Sequence, residues 1–349
     1  MKILEGITVV DFTRLLPGPL ATLWMADMGA KIIKIEDPRQ GDYAKFMGVI
    51  KNKVSLPYAL LNHNKEVLIA DANDPTDRER IIELIKKADV LVESFRPGQM
   101  KKWNLDFDSI KQMNPKLVYC SLTGFGQMGS KSSKAAHDIN YLALTGVLDQ
   151  TGPKEFPALS NFQIADIAGG SLPALCGILA GLFHSARKGI GCFVDCSIYD
   201  NLMAMNPILL SHLNHDHQPP RGMDMLSGAH PGYALYETSN HQFLALGALE
   251  QKFWNAFCED MKKDEWIDLI KSPKDWPLLK SQLANFFLQH PLNYWVENFQ
   301  QNDYCLTPVL TYAEAYQAEI DEKNSCIVEQ IHPTEGKLKY FYFPLKFTQ

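Results

Sequence analysis

Apolar positions in the first half of the chain follow two alternating patterns. Short β-branched and apolar runs at 7–11, 31–36, 89–93 and 117–122 predict strands. Between them, apolar residues three and four apart predict helices over 20–28, 77–87 and 107–113. Gly29 supplies a stop for the first of these, and Pro17 and Pro19 mark 14–19 as a turn. Strands that alternate with helices imply βαβ units and a parallel sheet covered on both faces, an α/β fold. Further on, 166–187 predicts one long apolar helix and 192–197 a strand. Beyond Asp200 the pattern changes. The stretch 213–221 is polar, with His215, His217, Pro219 and Pro220, and reads as a linker. A strand at 241–247 and helices at 252–261 and 276–290 follow, which suits a smaller domain.

Composition narrows the function classes. The 349 residues are 46% apolar and 21% charged, as in ordinary globular proteins. A net charge of -6 argues against nucleic acid or an anionic membrane as partner. A small acidic ligand therefore needs local basic residues. The seven cysteines are odd in number and contain no CxxC pair, and a strand pattern begins almost at once. Reduced thiols, no signal peptide and a cytoplasmic location are expected. The longest apolar run, about 171–183, contains Pro173, Gly177 and Gly181 and is expected to be a buried helix too short for a bilayer.

Several residues bear chemistry. Asp166 stands at the start of the long predicted helix. It suits an N-cap, or a carboxylate beside backbone N–H groups that hold an oxyanion, with Gly169 and Gly170 admitting a ligand. The helix dipole there should lower its pKa, and burial should raise it. His137 follows a Lys- and Ser-rich loop and is either a surface cap or an acid/base group that titrates near neutrality. Glu250 follows a predicted strand and is either a solvated helix start or a group that orients His137. Arg96, just past a predicted strand, suits a phosphate or simply the surface. His212, His215, Asp216 and His217 fit no standard zinc spacing, so no metal site is expected. Cys192 and Cys196 read as core, as do Met203, Met205, Met223 and Met225, although the methionines also suit an adaptable acyl surface. Neither GxGxxG after the first strand nor a Walker loop is present.

The segments DFTRLLPGPLATLWMADMGAKIIKIEDP, VLVESFRPG, LVYCSLTGFGQMG, AHDINYLALTGVL, ADIAGG, PRGMDMLSGAHPGYALYET and LALGALEQKFW together carry a resemblance. The chain resembles the family III CoA-transferases of the CaiB/BaiF type, and within them the α-methylacyl-CoA racemases. The resemblance implies a Rossmann-like large domain over 1–200, completed by about 305–349, a linker over 201–224 and a small α+β domain over 225–304. It also implies an interlocked homodimer. In the transferases the Asp matching Asp166 is a nucleophile; the racemases add a His in HDINY and a Glu in G-A-[IL]-E, here His137 and Glu250. The implied activity is two-base α-proton transfer on a 2-methylacyl-CoA, with His137 and Asp166 as bases and Glu250 supporting His137 from the partner subunit. The alternatives are a transferase using Asp166 as nucleophile and a non-catalytic acyl-CoA-binding relative. The implied CoA positions are Lys34 and Asp37, then Ala70, Asp71, Ala72 and Asn73, then Arg96, and last Ala136, Asp138, Ile139, Asn140 and Tyr141. No cofactor besides the CoA of the substrate is implied. Three departures from the family pattern stand out. Asp37 replaces a basic residue and should repel a phosphate, 48–63 lacks the usual basic and glycine run, and the chain stops at Gln349 without the family's final helix.

Overall fold

The computed structural model describes all residues except 216, 217, 300, 301, 323, 324 and 349. The chain divides into two compact units, one of Met1–Val147, Ser160–Pro207 and Lys323–Gln349, the other of Leu148–Leu159 and Ile208–Glu322.

The first unit is built on six parallel strands, β1 (Thr8–Asp11), β2 (Lys31–Glu36), β3 (Glu66–Ile69), β4 (Val90–Glu93), β5 (Val118–Thr123) and β6 (Cys192–Ser197). Their order is β3-β2-β1-β4-β5-β6. The central strands are buried on both faces, so Val9, Val10, Val90, Leu91 and Val92 are fully enclosed, and the sequence there is a continuous apolar run. The chain winds outward from β1 to β3, then returns to place β4 on the other side of β1. That reversal opens a crevice at the carboxyl ends of β1 and β4, where ligands bind in such sheets.

Helix α1 (Pro17–Asp27) begins with a proline in its first turn, where a missing N–H costs nothing. The proline-marked turn expected at 14–19 is thus partly helix. Helix α2 (Pro75–Ile85) is capped by Asp74, whose carboxylate accepts from the Thr76 and Asp77 N–H groups at 2.9 and 3.0 Å. Helix α3 (Asp138–Leu144) follows β5, and α4 (Leu172–Lys188) precedes β6. The approach of α4 to the sheet depends on small residues: a Cβ on Gly181 would lie 2.6 Å from Val118 Cγ1. The helical run containing α4 is longer than the apolar stretch suggested. It spans 24 residues, Ala165–Lys188, and is by length and composition apolar enough to cross a membrane.

The second unit has an antiparallel sheet of Tyr233–Glu237, Phe243–Gly247 and Leu306–Pro308, the middle strand being Phe243–Gly247. Helices Gln251–Asp260, Trp276–Phe287 and Leu292–Phe299 supply its aromatic core of Trp254, Phe257, Phe287 and Trp295. Both buried indoles find carbonyl partners, Trp254 Nε1 on Trp266 at 3.2 Å and Trp295 Nε1 on Phe287 at 3.1 Å. The segment expected as linker contains helix Pro207–Leu213 and the end of helix Ile198–Ala204. Asp216 and His217 lie outside the described residues, and no metal-binding cluster occurs among the described ones.

Candidate active site

The loops at the carboxyl ends of β1, β4, β5 and β6 enclose a cavity of about 510 Å³ in the first unit. His137 and Asp166 both line it, together with Arg14, Arg96, Lys134 and Tyr141. The second unit has a roomier cavity of about 620 Å³ near Tyr233, Lys280 and Cys305. Only the first brings an imidazole and a carboxyl to one space, so chemistry rather than volume selects it.

His137 is the exposed residue just before α3, and its extended backbone is pinned by its own N–H, which donates to Asn140 Oδ1 at 3.0 Å. The backbone that carries the imidazole is thus fixed at the helix start. Asp166 is half-buried in a different kind of element. Residues Ala165–Ser171 form a π-turn that runs into α4, where a continuous α-helix was expected with Asp166 at its N-cap. The physical reason is Pro173, which has no N–H to give Gly169 and whose ring crowds that carbonyl. The Gly169 carbonyl turns instead to Asn201 Nδ2 at 3.0 Å. Gly169 is required for this packing, because a Cβ there would meet the Ile198 carbonyl at 2.7 Å.

The wide turn also corrects the expected oxyanion site. The Asp166 N–H is not free; it donates to Asp138 Oδ1 at 3.0 Å. Asp138 thereby ties the His137 segment to the Asp166 turn. Burial, and secondarily the negative charge of Asp138, raise the Asp166 carboxyl to about 6. The lowering expected from a helix N-terminus does not prevail. Burial also raises the nearby Tyr141 phenol to about 12, with Asp166 adding to the effect, so it stays a neutral donor; it reaches the Ala136 carbonyl at 3.3 Å.

The residues expected to hold CoA fall into several settings. Lys34 is fully buried, pairs with Asp42 at 3.0 Å and donates to the Thr13 carbonyl at 2.7 Å, so its ammonium does not face a ligand. Asp37 does not stand as an open negative charge. Arg39 grips it through Nε at 3.2 Å and a terminal nitrogen at 2.7 Å, and reaches Asp71 at 3.0 Å. These contacts, the Arg39 hydrogen bond foremost, hold the Asp37 carboxyl down at about 2. Ala70 and Ala72 are buried under a shallow dimple of about 50 Å³ beside Asp37 and Trp103. Asn73 accepts from the Trp103 indole at 2.8 Å. Arg96 borders the reaction cavity and a second hollow of about 340 Å³. Ala136 lines the reaction cavity, whereas Ile139 and Asn140 face solvent. Glu250 belongs to the second unit, exposed at the start of helix Gln251–Asp260. Sequence reasoning missed Arg14, Arg39, Asp42 and Lys134. Arg39 had a readable signal, a basic residue two positions after the anomalous Asp37.

Comparison with known proteins places the chain in a family. The family model described as CoA-transferase family III matches residues 4–349. The chain is 33% identical over 329 residues to the human alpha-methylacyl-CoA racemase, covering 93% of this chain and 82% of that protein. It is 28% identical over 346 residues to the mouse succinyl-CoA:glutarate CoA-transferase, covering 97% and 79%. A CAIB/BAIF family protein from Brucella suis has the same fold, with a TM-score of 0.84 at 23% identity over 99% of this chain and 92% of that one. The chain therefore belongs to CoA-transferase family III.

Proposed function

We propose that this enzyme racemises 2-methylacyl-CoA thioesters by moving a proton on and off the α-carbon, with His137 and Asp166 as the two bases. The observation that carries this reading is that an imidazole and a carboxyl raised to about 6 line one cavity. Racemisation needs one group on each face of a planar enolate, and each has to gain and lose a proton near neutral pH. Asp138 supports the pairing, because it follows His137 directly and accepts the Asp166 N–H.

One base of the pair takes the α-proton while the other carries a proton. The electron pair left on carbon passes into the thioester carbonyl and gives an enolate. With the Asp166 N–H occupied by Asp138, the cationic side chains of Arg14, Arg96 and Lys134 on the cavity wall are the groups that favour negative charge on the enolate oxygen. The protonated partner then returns a proton to the opposite face. No cofactor beyond the CoA of the substrate enters this scheme. Glu250 is assigned to orient His137 from the partner chain of a homodimer, and the enzyme to the cytoplasm.

Similarity to a glutarate CoA-transferase favours a second reading, in which Asp166 attacks the thioester as a nucleophile. Incubation with a 2-methylacyl-CoA in deuterium oxide separates the two. Deuterium at the α-carbon without an acceptor acid is the expected result, with inversion at that carbon lost in both His137→Ala and Asp166→Ala while acyl-CoA binding persists. CoA exchange between acids with no α-deuteration would replace the racemase by the transferase.

A further inference from the structure

The loop 12–16 that follows β1 has no regular secondary structure, so its backbone polar groups need partners elsewhere. Side chains supply them one after another. The Thr13 N–H donates to Asp11 Oδ1 at 2.8 Å, and the Thr13 carbonyl accepts from Lys34 Nζ at 2.7 Å. The Arg14 N–H donates to Ser94 Oγ at 3.3 Å, and the Leu15 N–H to Asp42 Oδ1 at 2.9 Å. Asp11, Lys34, Asp42 and Lys65 are side chains with no exposed surface; Lys34 pairs with Asp42 at 3.0 Å and Lys65 with Asp11 at 3.4 Å. Two cations and two anions thus balance inside the fold. Buried ion pairs of this kind add little stability over apolar residues of the same volume, so their role is better sought in what they hold in place.

What they hold is a strained residue. Leu15 has a φ of 65°, the left-handed region that a branched side chain rarely adopts. Leu15 lines the reaction cavity with its neighbours Arg14 and Pro17. The loop also touches the turn that carries Asp166. The Pro17 carbonyl accepts from Ser171 Oγ at 2.8 Å, and a Cβ on Gly170 would come within 3.0 Å of Pro17 Cβ. Ser171 and Gly170 belong to the same π-turn as Asp166.

We propose that Asp42 is a positioning residue of the reaction site, whose carboxylate holds Leu15 in its left-handed conformation and so fixes the wall against which the Asp166 turn is set. The proposal rests on the assignment of Asp166 as a base. Asp42 is 27 positions from Leu15 and acts through it, by way of Pro17 and Ser171, on the placement of Asp166. Relaxation of Leu15 would leave the substrate groove in being and loosen the geometry of proton transfer, which lowers kcat more than it raises KM.

The test uses charge-neutral pairs, so that no lone buried charge confuses folding. Lys34→Met with Asp42→Asn keeps an amide oxygen for the Leu15 N–H, and kcat is expected within about threefold of wild type. Lys34→Met with Asp42→Leu removes the acceptor, and kcat is expected to fall roughly tenfold or more with KM within about twofold. Adding Leu15→Gly to the second pair should restore most of kcat, because glycine adopts the left-handed conformation unaided. Failure of Leu15→Gly to restore kcat, or equal losses in the two pairs, overturns the proposal. Denaturant unfolding of the same variants is read independently of turnover. Leu15→Gly should stabilise the pair carrying Asp42→Leu and not the wild type, and additive effects overturn the coupling even if wild type shows no α-proton exchange. Should the pair carrying Asp42→Leu fail to fold, recovery of folding by Leu15→Gly supports the proposal and continued failure refutes it.

Discussion

Replacing Asp138 by Asn isolates the electrostatic part of the site. Asparagine keeps an oxygen to accept the Asp166 N–H now held at 3.0 Å, and removes the negative charge. The Asp166 carboxyl stands raised from 3.8 to about 6, with burial the larger cause and Asp138 the smaller. Less than half of the rise therefore belongs to Asp138, which is at most about one pH unit, or ~1.4 kcal/mol, and less once solvent around the half-buried Asp138 screens it. The sign is fixed: a carboxyl that loses a negative neighbour ionises more readily, so its pKa falls. A two-base racemase works with one proton shared by the pair, and the two singly protonated arrangements keep a constant ratio at every pH. Both epimers therefore show the same bell in kcat/KM, whose acid limb marks the second proton going onto the pair. In Asp138→Asn that limb should move to lower pH by up to about one unit for both epimers, with little change in melting temperature. Initial rates of loss of optical activity from about pH 4.5 to 8, started from each epimer, provide the measurement. An acid limb that stays in place, or moves to higher pH, in a folded variant refutes the electrostatic coupling of Asp138 to Asp166.

Two further outcomes follow from other parts of the structure. Asn201→Ala removes the donor that satisfies the Gly169 carbonyl and should lower unfolding stability by about 1–3 kcal/mol, measured by denaturant titration; an unchanged midpoint would mean that the π-turn does not need that bond. Arg39→Gln uncovers the charges of Asp37 and Asp71, so the KM for acyl-CoA should rise while kcat and melting temperature hold; a kcat defect with unchanged KM would count against a role in CoA recognition.

The parts of this fold that the chain states openly are those whose burial is uniform. Strands β1, β2, β4 and β5 are almost wholly enclosed, and each reads as a strand from its short β-branched and apolar core, such as Val9-Val10, Ile32-Ile33 and Val90-Leu91-Val92. Strand β3 escapes such a reading because it lies at the sheet edge with Glu66, Val67 and Ile69 exposed, and the C-terminal hairpin Ile327–His332 and Gly336–Phe341 because most of it is only half-buried or exposed. The π-turn reads as ordinary helix since its small and apolar residues suit both; Pro173 is the one local sign, and its effect depends on Asn201, 28 positions away from it. At the site, His137 and Asp166 are legible through their motif contexts. The pairings that shape the loop beside them are not, because Asp42 meets Leu15, and Lys34 meets Thr13, only after the sheet has formed. Pairings of that range leave no periodicity in the sequence.

Asp166 alone does not choose between proton transfer and acyl transfer. A carboxyl with a pKa of about 6 is largely ionised at neutral pH and could serve as a nucleophile, and it is also protonated often enough to serve as an acid. A carboxylate nucleophile needs only to be ionised with a free lone pair, whereas a racemase base has to be found in both protonation states, since the two bases exchange roles in opposite directions of the reaction. Burial and the neighbouring Asp138 both move Asp166 the second way, toward the range where imidazoles titrate. The transferase mechanism requires neither the raised carboxyl nor His137 on the same cavity wall. The distinguishing variant is therefore His137→Ala rather than Asp166→Ala: both mechanisms lose turnover without Asp166, but only the racemase loses it when the imidazole alone is removed. Persistence of a CoA-exchange activity in His137→Ala, with wild-type dependence on Asp166, would turn the assignment to the transferase.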